Sequence, residues 1–167
     1  MNKRTRTLTL SALFSALAVV SLYVASVWPT GQLGLAALAS LFVAAAVIES
    51  GLKRGALVFI VSSALSMLIV PNRVAPLIYI LFFGYYPLVK SLIERIRSKA
   101  VQWALKLLVF NASLTIVWFL LREFIIGFDR PVPLFLIYLA GSVVFLIFDY
   151  GLSKVIWLYI GYTNKMK

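Results

Sequence analysis

Asp149 and Lys106 are the charged residues set most deeply in apolar sequence. A carboxylate surrounded by hydrocarbon is costly, so such a residue has a partner or binds something. At about 1.5 Å of helical rise per residue, Asp149 sits about 12 Å and Lys106 about 9 Å in from the same side of their apolar runs. Those depths allow an ion pair, which lowers the cost of both charges. A proton or coupling-ion site at Asp149 is the alternative, and the structural pair is preferred. Asn111, near the middle of its run, is expected to hydrogen-bond between helices. Lys90 and Glu94, four residues apart, read as an ordinary solvated pair at a helix end.

A second group could recognise a ligand. Asn72, Arg73, Tyr79, Trp118, Arg122, Glu123, Asp129, Arg130 and Tyr138 fall at the far ends of three consecutive apolar runs. Ligand pockets combine aromatic walls with a few convergent polar groups. Arginine would suit a carboxylate or phosphate, which it grips bidentately. The competing reading makes Trp118 and Tyr138 interfacial belt residues and the charges solvated loop.

Other chemistries lack their parts. The 167 residues contain no cysteine and no histidine, so thiolate catalysis and the common zinc, nickel or copper sites are not expected. There is no glycine-rich phosphate loop and no nucleophile elbow, so no enzyme activity and no cofactor are expected. The net charge of +11 does not imply nucleic acid, because the cations cluster beside apolar runs where anionic lipid is the simpler partner.

The elements that must position these residues are membrane spans. Hydrophobic residues make up 63% of the chain and charged ones only 13%, far from soluble proportions. Six apolar runs follow one another: 8–28, 35–48, 56–70, 76–92, 101–126 and 133–160. The expectation is a single all-α domain over 1–167, a six-helix transmembrane bundle whose first helix is not cleaved. The second and third runs are short, and the second can extend back to Pro29; Gly51 and Gly55 read as helix stops around Lys53 and Arg54. Gly84 and Pro87 predict a kink in the fourth. Thirteen cations fall on one side of this topology and three, Arg73, Arg122 and Arg130, on the other. Basic short loops stay cytoplasmic, which places both termini in the cytosol.

Ser11, Ala12, Ser15 and Ala16 form two overlapping small-xxx-small pairs, the spacing that lets another helix approach closely in lipid. With them the whole chain resembles the substrate-binding S components of energy-coupling factor transporters, small six-helix bacterial membrane proteins. The likeness rests on size, inside termini, a basic N-terminal segment running into an alanine-rich first helix, and the Gly-basic-Gly turn between the second and third helices. Ala12-Leu13-Phe14-Ser15-Ala16 matches the family's AxxxA motif. The resemblance implies that Ala12, Ser15 and Ala16 contact a transmembrane coupling subunit driven by two ATPases. It also implies a vitamin-like substrate held by the outer parts of helices four to six. Metal-importing members carry an N-terminal histidine region that this chain lacks, so an organic substrate is expected. Two other classes share this topology: a scaffold of the rod-shape type, with a packed outer end, and an autonomous small transporter relying on Asp149. An outward cavity lined by Tyr79, Trp118, Arg122 and Tyr138 would separate binding subunit from scaffold.

Overall fold

A computed structural model describes residues 3–125 and 134–165. These form α1 (Lys3–Val27), α2 (Gln32–Ser50), α3 (Leu52–Ile69), α4 (Val74–Ile93), α5 (Lys99–Ile125) and α6 (Leu134–Lys165). All six are long and apolar enough to cross a membrane. The pair that looked short is full length. A 3-10 turn at Pro29–Gly31 leads into 19 residues of α2, and α3 takes Lys53 and Arg54 into its first turn to reach 18 residues. At about 1.5 Å per residue each approaches the roughly 30 Å of a hydrocarbon core.

One glycine reverses the chain between α2 and α3. Gly51 has φ of 84° and donates its N–H to Val47 O at 2.9 Å, a conformation that costs glycine little. Gly55 has a different job from the expected helix stop. It lies inside α3, where a Cβ would fall 2.2 Å from Val47 Cγ2, so its bare backbone sets the approach of α3 to α2.

Small residues govern the first half of the bundle. α2 buries Ala36, Ala39, Ser40, Val43, Ala44 and Ala46, while α1 turns Ala18, Leu22 and Ala25 inward and α3 turns Val58, Ser62 and Ser66 inward. Without water between helices in lipid, close backbone packing supplies the association. The buried serines stay satisfied on their own helices: Ser11 donates to Thr7 O, Ser15 to Ser11 O, Ser40 to Ala37 O and Ser66 to Ser63 O. Such back-bonding lets a hydroxyl enter an apolar core at little cost.

Aromatic residues govern the second half. Phe82, Tyr86, Phe110, Phe145 and Phe148 interlock between α4, α5 and α6 at centroid distances of 4.7–6.0 Å. α4 has a broken course that serves this layer. It runs as α-helix over Val74–Ile78, as π-helix over Tyr79–Phe83, then restarts at Tyr86–Ile93 with Pro87 in its first turn. Proline has no N–H to continue the ladder. The wider turn closes instead through Gly84 N to Tyr79 O at 2.7 Å. Gly84 is required there, since a Cβ would meet the Phe59 and Tyr79 rings at 2.6–2.8 Å.

Candidate functional site

The break in α4 aims Tyr86 and Lys90 at α6, and there a closed cluster of four charges forms. Lys90 Nζ lies 2.6 Å from Asp149 Oδ1 and 2.7 Å from Glu94 Oε1; Lys106 Nζ lies 2.9 Å from Asp149 Oδ2 and 2.8 Å from the same Glu94 oxygen. Lys90 also donates to Ser153 Oγ at 2.8 Å, so all three of its N–H groups are used. Lys106 turns its remaining side to the Trp103 ring, 5.2 Å from the centroid. Tyr86 donates its hydroxyl to Asp149 Oδ1 at 2.5 Å. Three side chains are at most 5% exposed, while Glu94 is 42% exposed. The cluster is neutral overall, which is how four charges persist at this depth.

The Lys106–Asp149 pair is thus one edge of a square. Lys90 departs from its reading as a solvated partner of Glu94: it is buried and bonds Asp149 and Ser153 as well as Glu94. Burial pushes the Glu94 carboxyl up, but its bonds to Lys106 and Lys90 outweigh this and hold it below the ordinary range. Asn111 also departs from expectation. Its amide donates to Leu107 O on its own helix at 2.8 Å rather than across helices.

About one helical turn from this cluster, toward the other end of the same three helices, an open groove of about 280 Å³ begins. Ile78, Phe82 and Phe83 of α4, Phe110, Leu114 and Val117 of α5, and Gly141, Val144, Phe145 and Phe148 of α6 line it, and Leu33 at the start of α2 closes one side. The described residues of its wall are all apolar. At the cluster end α6 instead meets α2, where Tyr159 donates to Glu49 Oε1 at 3.1 Å.

Among the described residues, none of those read as substrate contacts lines this groove. Tyr79 is fully buried and bonds Ser62 Oγ at 2.8 Å, joining α4 to α3. Tyr138 shares a 2.7 Å hydrogen bond with Thr115, joining α6 to α5. Trp118 is half-buried. Asn72 is exposed and accepts from Val74 N at 3.0 Å in the turn before α4, with Arg73 exposed beside it. Asp129 and Arg130 lie outside the described residues, as do the side chains of Arg122 and Glu123. Sequence reasoning sought polar residues and so passed over the phenylalanines, whose spacing in α4 (82, 83) and α6 (145, 148) was the available signal.

The small-residue pairs of α1 separate by face. Ser11 and Ser15 are 3% and 5% exposed and point into the bundle. Ala12 and Ala16 are exposed on the outer face, between Leu13, Leu17 and Val20. Ser15 is therefore turned away from the surface that a second helix could reach.

No family model matches this chain, and neither a curated protein nor a solved structure does.

Proposed function

We propose that the chain is the substrate-binding subunit of an energy-coupling factor importer in a bacterial cell membrane, with both termini cytosolic. The observation that carries this reading is the groove among α4, α5 and α6, on the side of the charged cluster away from most cations. A scaffold would pack that region closed, whereas a binding subunit needs the space. Its apolar wall suits the ring or chain portion of a small organic micronutrient, since a charge placed there would have no partner among the described lining residues. Exposed Ala12 and Ala16 support docking on a coupling subunit, which two ATPases would drive. The binding-subunit reading is preferred to the autonomous-transporter one because both Asp149 oxygens are engaged by Tyr86, Lys90 and Lys106, as a structural cluster requires.

Native mass spectrometry of the detergent-purified chain, alone and co-expressed with a coupling subunit and its ATPases, tests the reading. The expected result is a bound metabolite that Gly141→Leu removes, because a Cβ at Gly141 already lies 3.1 Å from Leu114 and 3.3 Å from Phe110. An empty chain that retains no coupling subunit would sink the proposal.

A further inference from the structure

One residue, Tyr86, joins the charged cluster to the wall of the groove. Tyr86 gives its hydroxyl to Asp149 and its ring to the aromatic layer, with centroids 5.2 Å from Phe82, 5.4 Å from Phe145 and 5.7 Å from Phe148. Those three phenylalanines line the groove. The geometry points to Tyr86 and Asp149 as positioning residues: the state of the charge square sets, through Tyr86, where α6 stands relative to α2 and hence how wide the groove opens. This deepens the binding-subunit reading and rests on it for the groove's use, though the linkage itself is a property of the bundle.

Three features support the assignment. Tyr86 is fully buried, so its ring cannot turn away from the layer when its hydroxyl moves. Glu94 bridges both lysines through a single oxygen and is the one cluster member substantially open to solvent. Loss of that bridge would leave two ammonium groups on Asp149 alone, and the square would rearrange around the oxygen that holds Tyr86. Finally, α6 is pinned to α2 near Tyr159 and Glu49 but separated from Leu33 by the groove, so a small rotation at the pinned end is enlarged at the open one.

The absence of native cysteine allows clean labelling. Spin labels at Gly34→Cys, where an added Cβ meets nothing within 4 Å, and at Val143→Cys, exposed on α6, report the separation across the groove mouth. Electron–electron distance measurements on the full chain in lipid nanodiscs are compared among the labelled parent, Tyr86→Phe and Asp149→Asn. Tyr86→Phe keeps all four charges and the ring, so it removes only the tether. Both variants are expected to move the main distance in the same direction by about 2 Å, the size of a typical helix shift. An unmoved distance in Tyr86→Phe overturns the proposal, whatever Asp149→Asn does. If Asp149→Asn does not fold, Glu94→Gln replaces it and is expected to give the same direction of shift. No ligand is used, so an empty groove in the mass spectra leaves this result intact, and an unmoved distance leaves the binding reading intact.

Discussion

At the scale of single residues, Asp149 is the buried group on which most others depend. It neutralises two ammonium groups that are themselves nearly inaccessible, and it anchors Tyr86. Removing one partner of a buried ion pair costs about 3–5 kcal/mol because the other charge stays behind. Asp149→Leu should therefore lower the unfolding free energy in detergent micelles by about that amount, followed by circular dichroism during denaturation. Adding Lys90→Met should restore most of the loss, since the remaining Lys106 keeps Glu94. Full stability in Asp149→Leu alone would show that its carboxylate is not compensating buried charge. The Lys106–Asp149 proximity was legible from the sequence because depth along two helices needs only the rise per residue. Lys90 was not. Its spacing to Glu94 describes a contact within one helix, whereas its burial depends on the break at Gly84–Pro87, which resets the helical phase and turns Lys90 toward α6.

At the scale of elements, α1 shows why two overlapping small-residue pairs cannot serve one interface. Successive residues are displaced by about 100° around a helix, so the 11/15 pair and the 12/16 pair look in different directions. The core takes the serines and leaves the alanines outside. Ala12→Trp should keep folding close to normal while abolishing retention of a coupling subunit in pull-downs; Ser15→Trp should reduce the yield of folded chain, because overfilling a packed core typically costs 1–3 kcal/mol or more. If Ala12→Trp with Ala16→Trp still retained the coupling subunit, docking through this face would be wrong. The helices themselves were legible as apolar runs, and the kink in α4 as Gly and Pro. The π-helical course was not, because it arises where the Phe59 and Tyr79 rings crowd Gly84, a contact between α3 and α4 that no local pattern encodes.

At the scale of the whole molecule, the short links at 28–31, 51, 70–73 and 94–98 force successive helices to alternate in direction. The Gly51 turn and the 94–98 link therefore share a side with the start of α1, and the 70–73 link lies on the other. The proposed orientation rests on charge alone: Lys53, Arg54, Arg95, Arg97 and Lys99 crowd the first side, and Arg73 stands in the second. Lys and Arg in short loops are retained in the cytosol, so the groove should open near the outer face. The cysteine-free background makes this measurable. Asn72→Cys should react with a membrane-impermeant maleimide in intact cells, and Ser98→Cys, also exposed but at the other end, only after permeabilisation. The reverse pattern would put the groove on the cytosolic side. Capture of an external substrate would then fail on geometry, even with the bundle, the charge square and the exposed alanine face of α1 unchanged.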